Sequence, residues 1–378
     1  MNILIATDSN IEKSGVCMFI LQWVREIKRN YPDFEVVVYF RKTTIDKDIE
    51  EEYKSIGVNI IKGELPQNGT SVSLKNRAKV KKDISSILKE KKFDVIHVNS
   101  SAAGFTSIVL FAGKKFNVPI RISHSHGRNL GNGMKNIYLW FVKKYNVCLA
   151  TSYAGCSKDA GEYLFGKKIV RSAKWNFIPN TVDTKKFAFN SLVRKEYREK
   201  LHLSEEEVLI GATGALTERK NHIFLLDLVS KLKKQNKKIK LLILGEGDRR
   251  SCLEDYISAN NLGDDVFLPG SSNEIPQWLS AMDVYAMPSL TEGLPIGAVE
   301  AQANGLYCIL SDKIPNDVDL SDDIIHLPID GEFDLWINEI KKYKIKNETE
   351  RLKGCDIINK KGFGLSDTKK YIKLLYNI

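Results

Sequence analysis

The 378-residue chain predicts an α/β protein made of two doubly wound, Rossmann-like parallel-sheet domains facing across a cleft. Three observations carry this. Short β-rich apolar runs alternate with longer runs of helical spacing, the pattern of βαβ units. The alternation stops in a polar, charge-rich stretch at residues 179–203 and then starts again. The length suits two domains of roughly 100 to 200 residues each.

In the first half, strands are expected at residues 2–6, 35–40, 59–61, 95–98, 121–124 and 147–150. Between the first two, Val16, Phe19, Ile20, Trp23, Val24 and Ile27 recur at helical spacing and mark an amphipathic helix. In the second half, strands are expected at 208–212, 240–244, 266–268, 284–287 and 307–310, with helices near 221–235, 249–261, 274–281 and 297–304. The expected organisation is a first domain over 1–183, a linker over 184–203 and a second domain over 204–365. Residues 366–378 complete it as a C-terminal amphipathic helix crossing back to the first domain.

Hydrophobic residues make up 43% and charged residues 28%, ordinary globular usage that excludes a mainly disordered chain. The six cysteines form no C-x-x-C pair and read as buried free thiols of a reducing compartment rather than a disulfide frame or a zinc site. The N-terminus has no basic leader and no 18-residue apolar span occurs, so a cytoplasmic protein without signal peptide or transmembrane helix is expected. Through Asp183 there are 29 Lys and Arg against 17 Asp and Glu; beyond it, 28 against 30. The whole basic excess lies in the first half, which suits an anionic membrane surface, a phosphorylated substrate or nucleic acid.

Ligands of open α/β sheets sit beyond the carboxyl ends of strands, so the loops after strands are the candidate sites. Segment 214–221, GALTERKN, follows a strand and opens a helix, placing Arg219 and Lys220 beside free N–H groups as an anion site suited to a diphosphate. The alternative is a helix start with two solvated cations. Gly245 and Gly247 follow the strand LLIL, where glycine lets backbone approach a ligand closely; a tight turn is the plainer explanation. Segment 288–300, PSLTEGLPIGAVE, places Glu292 before a helix start and Glu300 on its first turns. Acidic groups there also act simply as dipole partners.

The two glutamates with the intervening GLPIGAV resemble the E-x7-E motif of retaining GT-B glycosyltransferases of family 4, with PS-x-x-EG and EAQANG flanking it. The likeness runs nearly end to end. HVNSSAAG at 97, RISHSHGR at 121, AGCSKDAGEYLFG at 154 and FIPNTVD at 177 resemble the bacterial capsule and exopolysaccharide branch of that family. The resemblance implies that Glu292 bonds donor-sugar hydroxyls, that the backbone of Gly293 and Leu294 holds the diphosphate, and that Glu300 binds the ribose. Lys220 matches the family's phosphate-binding lysine. The arginine usual after the first glycine is absent, Ala215 standing there, and Arg219 is the candidate to replace its charge. Gly15, in Ser14-Gly15-Val16, matches a glycine loop that closes over the transferring phosphate and sugar. His126 matches the catalytic histidine near the anomeric carbon, and His124, on the same face of its strand, is the alternative.

Asp46 and Asp48 have the D-x-D form of a metal site but lie in the polar stretch KTTIDKDIEEE, read as a solvated helix start. In the mechanism that the resemblance implies, cations and N–H dipoles neutralise the diphosphate, so no metal and no cofactor is expected. Residues 75–92 carry eight Lys and Arg with Val80, Ile84, Ile87 and Leu88 on one helical face, a surface helix or a membrane-facing one. Residues 134–145 mix Tyr138, Trp140 and Phe141 with Lys135, Lys143 and Lys144, a composition suited to lipid headgroups.

The reading is a metal-independent retaining glycosyltransferase moving a sugar from a nucleotide sugar, UDP-linked by resemblance, to a polyprenyl-diphosphate-linked saccharide in capsule, exopolysaccharide or O-antigen synthesis. It is expected to be peripheral at the inner face of the cell membrane. The alternatives are a GT-B nucleotide-sugar epimerase or hydrolase and, remotely, a basic nucleic-acid-binding protein, for which the sequence offers no reading module.

Overall fold

The computed structural model describes residues 1–11, 14–42, 46–65, 74–127, 136–235, 238–331 and 333–378. Contacts divide the chain into two compact units: Met1–Asn180 with Ser366–Ile378, and Thr181–Leu365.

The first unit holds seven parallel strands: β1 (Asn2–Thr7), β2 (Glu35–Lys42), β3 (Asn59–Leu65), β4 (Val95–Asn99), β5 (Ile120–Ser125), β6 (Ser152–Gly155) and β7 (Trp175–Phe177). Their order is β3-β2-β1-β4-β5-β6-β7. Ile3, Leu4, Ile5 and Ala6 of central β1 are fully buried, as a strand covered on both faces requires, which is why it reads as an unbroken apolar run. The helix Gly15–Asn30 begins at Ser14, whose hydroxyl accepts from the Cys17 N–H, and buries Phe19, Ile20, Trp23, Val24 and Ile27 against the sheet. The helix Thr368–Tyr376 joins the same core through Ile372, Leu375 and Tyr376.

The second unit holds six: β8 (Val208–Thr213), β9 (Ile239–Leu244), β10 (Val266–Gly270), β11 (Val284–Met287), β12 (Tyr307–Ser311) and β13 (Ile324–Leu327), all parallel, in the order β10-β9-β8-β11-β12-β13.

Three sequence expectations are corrected. Residues 147–150 are not a strand: Val147 to Leu149 end the helix Asn136–Leu149, and the strand is the four-residue β6 that follows. Residues 181–183 group with the second unit, because the Val182 N–H donates to the Phe363 carbonyl and its carbonyl accepts from Leu365. Segment 184–203 is no linker but part of that unit, and its charges are structural. On the helix Ser191–Lys200, Arg194 and Arg198 meet the buried Asp283 at 2.7 and 3.0 Å. Asp283 also accepts the Leu209 N–H at 2.8 Å, so the helix is tied to the amino ends of β8 and β11. Arg198, 1% exposed, also donates from its two terminal nitrogens to the Ala281, Ser204 and Glu207 carbonyls. A buried charge persists only when paired in this way.

Candidate functional site

Each sheet reverses its strand order once, between β1 and β4 and between β8 and β11. At such a point the loops leaving the carboxyl ends diverge to opposite faces and leave a crevice for a ligand.

In the second unit, the loops after β8 and β11 flank that point and are pinned together. The Leu290 N–H donates to the Arg219 carbonyl at 2.8 Å, and Asn221 Nδ2 to the Pro288 carbonyl at 3.2 Å. Asn221 adopts the left-handed region, φ 54°, and turns the chain into the helix His222–Lys233. This brings Lys220 Nζ to 2.7 Å from Glu292 Oε1, and Arg219 Nη1 to 2.6 Å from Oε2 and 3.1 Å from the Thr291 carbonyl. Burial opposes ionisation of Glu292, but the two cations outweigh it and hold its carboxyl below the usual range. Lys220 is 12% exposed and Arg219 47%, so Lys220 is the embedded member of the pair.

Beyond Glu292, the Gly293 N–H donates to no partner among the described residues. Leu294 is buried and sets the start of the helix Ile296–Ala303, which is preceded by Pro295 and has no side-chain cap. Uncapped N–H groups beside Lys220 and Arg219 are a combination chemically suited to an anion. Gly297 fits because Tyr285 Oη and Thr213 Oγ1, bonded at 2.9 Å, occupy the space a Cβ would need. Glu300 follows one turn on. Its carboxylate makes no hydrogen bond among the described residues, and burial pushes its pKa up to about 7 against the pull of Lys186. Gly245 and Gly247 have a different reason for being glycine: a Cβ at either would run into the carbonyls of Gly214 and Leu216. The loop after β9 packs on the loop after β8, which the Leu216 N–H fixes by donating to the Glu246 carbonyl at 2.8 Å. Ala215 is exposed on that loop, while the Arg219 charge lies at its far end, on Glu292.

In the first unit, Gly15 is the first residue of its helix, and a Cβ there would meet nothing within 4 Å. His124 and His126, at the end of β5, stack with ring centroids 4.2 Å apart. His124 is fully buried, whereas His126 is partly exposed, which separates the two candidates. His126 Nε2 lies 2.8 Å from Asn99 Oδ1, and Asn99 Nδ2 faces the His97 carbonyl at 3.5 Å. The amide oxygen only accepts, so Nε2 carries the His126 proton and Nδ1 the lone pair. Burial lowers the His126 pKa to about 3, so at neutral pH the ring is an acceptor at Nδ1 and not an acid.

The family described as Glycosyltransferase Family 4 matches residues 14–186, and that described as Glycosyl transferases group 1 matches residues 193–322. The first covers the glycine loop and the histidines, the second the Lys220–Glu292 cluster and Glu300. The chain is a GT-B glycosyltransferase of the family 4 and group 1 type. The enzyme is 26% identical over 375 residues to the putative glycosyltransferase EpsF of Bacillus subtilis (strain 168), covering 98% of this chain and 95% of that one. It is 27% identical to an Escherichia coli UDP-Gal:alpha-D-GlcNAc-diphosphoundecaprenol alpha-1,3-galactosyltransferase, over 77% and 76% of the two chains. Its fold matches the crystal structure of Anabaena Alr3699/HepE in complex with UDP and glucose, with a TM-score of 0.77 at 15% identity, over all of both chains.

Sequence reasoning missed several residues of the enzyme's two crevices: Thr213 and Tyr285 beneath Gly297, Lys186 toward Glu300, and His97 and Asn99 behind His126. His97 and Asn99 are two apart on β4 and so share a face, a signal present in HVNSS. Asp46 accepts the Asp48 and Ile49 N–H groups as the cap of the helix Lys47–Ser55. On the helix Leu74–Glu90, Val80, Ile84, Ile87 and Leu88 are buried in the core, so that helix offers the exterior charge alone. The helix Asn136–Leu149 is different: Trp140, Phe141 and Tyr145 are 50%, 61% and 47% exposed, with the Lys144 ammonium 4.0 Å from the Trp140 ring centroid. Met134, Lys135 and the Tyr138 side chain lie outside the described residues. Among the described residues no helix is long and apolar enough to cross a membrane.

Proposed function

We propose that the enzyme is a retaining, metal-independent transferase that moves a sugar from a UDP-sugar to a polyprenyl-diphosphate-linked saccharide in capsule, exopolysaccharide or O-antigen synthesis. The observation that carries this reading is the Lys220–Glu292–Arg219 cluster beside an uncapped helix start, with Glu300 one turn further. Cations and N–H groups suit a diphosphate, Glu292 suits the sugar hydroxyls, and Glu300 suits the ribose diol. The E. coli relative acts from UDP-Gal on a diphosphoundecaprenol-linked sugar, and the Anabaena neighbour was crystallised with UDP and glucose. Both support the substrate class.

As the sugar–phosphate bond breaks, charge gathers on the departing diphosphate, where Lys220, Arg219 and the N–H groups at Gly293 and the helix start stabilise it. The acceptor hydroxyl attacks the anomeric carbon from the face the diphosphate leaves, and its proton passes to a phosphate oxygen. No protein nucleophile is needed. His126 accepts, through Nδ1, from a hydroxyl of the transferred sugar. Cations already neutralise the diphosphate, so no metal is required.

The attachment surface in this reading is the first unit, on an anionic inner membrane face, through Trp140, Phe141 and Tyr145 with the surrounding lysines. The test is transfer from UDP-sugars to an undecaprenyl-diphosphate-linked saccharide in the presence of EDTA. A product with retained anomeric configuration is expected. Strict dependence on magnesium or manganese, or release of free sugar alone, would contradict the reading.

A further inference from the structure

Trp23, Tyr376, His97 and His124 form one hydrogen-bonded chain inside the first unit. Trp23 Nε1 lies 2.9 Å from Tyr376 Oη, Tyr376 Oη 3.1 Å from His97 Nδ1, and His97 Nε2 3.0 Å from His124 Nδ1. All four side chains are at most 2% exposed. An indole N–H can only donate, so Tyr376 accepts from Trp23 and has its own proton to place. Its other partner is His97 Nδ1. Burial keeps both imidazoles neutral, pushing His97 down to about 3 and His124 well below its usual value.

A neutral His97 that accepts at Nδ1 carries its proton on Nε2 and donates it to His124 Nδ1. His124 then carries its proton on Nε2. Either sense leaves one buried proton without an acceptor among the described residues: the Tyr376 hydroxyl proton if the rings donate toward the tyrosine, or the His124 Nε2–H if the tyrosine donates toward the rings. In the second sense, direction propagates from the indole through two rings. The chain ends at His124 Nε2, a buried atom with no hydrogen-bond partner among the described residues. The His124 ring is stacked on His126 within 16° of parallel, and Phe19 stands edge-on to both.

We propose that Tyr376 and His97 are positioning residues: their chain, fed by Trp23, locks His124 with its proton on Nε2 and thereby fixes the ring against which His126 is held. The C-terminal helix becomes part of the machinery that orients His126. The kinetic consequence rests on the reading that His126 meets the transferred sugar; the tautomers do not.

The test uses the full chain labelled with 15N-histidine, which has only six histidines. Long-range 1H–15N spectra at pH 7 should show both buried rings neutral with the proton on Nε2. Tyr376→Phe keeps the ring and removes the donor. His97 Nδ1 should then move to the position of an unbonded nitrogen, and kcat should fall about tenfold with KM for the nucleotide sugar within twofold, the loss expected of one uncharged hydrogen bond. Trp23→Phe, which removes the indole that sets the direction, should shift the same nitrogen less. A proton on Nδ1 of either ring in the wild type would overturn the relay, as would an unmoved His97 resonance in Tyr376→Phe. A moved resonance with unchanged kcat would overturn the positioning role. Wild-type protein inactive with every nucleotide sugar would sink the transferase reading, while the spectra would still decide the relay.

Discussion

The two units place opposite chemistry at equivalent points of the same architecture. At the β8/β11 reversal, Lys220, Arg219 and Glu292 keep their charges and satisfy one another. On β4 and at the end of β5, beside the β1/β4 reversal, His97, His124 and His126 are held neutral by burial. A charged crevice suits a charged leaving group, whereas a neutral polar one suits hydroxyls. The proposed reaction calls on both, and each unit offers one of them.

The largest expected effect comes from the charged side. Glu292→Ala removes a carboxylate that holds two cations, and hydrogen bonds of charged groups are each worth about 1.5 to 3 kcal/mol. Steady-state assays should show kcat/KM lowered by at least about 100-fold, with an unfolding midpoint that still reports a folded protein. Near-normal turnover would mean that the charged crevice is not the donor site.

This contrast also explains what the sequence could show. The charged site was legible because its parts are contiguous: residues 288–300 run from strand through loop to helix, and 214–221 do the same. His124 and His126 were visible from the alternation of a single strand. The relay was not, since Trp23, His97, His124 and Tyr376 come from four elements that only the sheet order and the terminal helix bring together. Elsewhere, β6 and β7 have four and three residues, too few for a period to register, and the apolar end of a helix at 147–149 imitates a strand. The charges of 184–203 resembled a solvated linker because nothing local tells Arg198 from a surface arginine. Its partner, Asp283, is 85 positions away.

Glu300 sharpens the comparison through pH. With a pKa of about 7 it is protonated below that value and charged above it, and only the carboxylate accepts from both ribose hydroxyls. Uridine, which carries no phosphate to titrate, should bind a few-fold more tightly at pH 8 than at pH 6. Calorimetry should find that dependence flattened in Glu300→Gln. An unchanged slope would remove Glu300 from the ribose.

The smallest expected effect concerns the exterior of the basic unit. Lys81→Glu with Lys82→Glu reverses two exposed lysines, each worth about 1 kcal/mol near an anionic surface. Sedimentation with anionic vesicles should weaken by roughly tenfold or more and fall further with Trp140→Ala, while UDP binding stays the same. Vesicle binding that ignores both changes would place attachment elsewhere.

The central claim is that the diphosphate belongs to the charged crevice and not to the neutral one. Calorimetric titration of UDP into the wild type, Lys220→Ala and His126→Ala tests it directly. Binding should weaken by more than about tenfold in Lys220→Ala, from the loss of a charge-assisted hydrogen bond, and stay within twofold of wild type in His126→Ala. Equal affinity for UDP in wild type and Lys220→Ala, or a loss confined to His126→Ala, would contradict the claim.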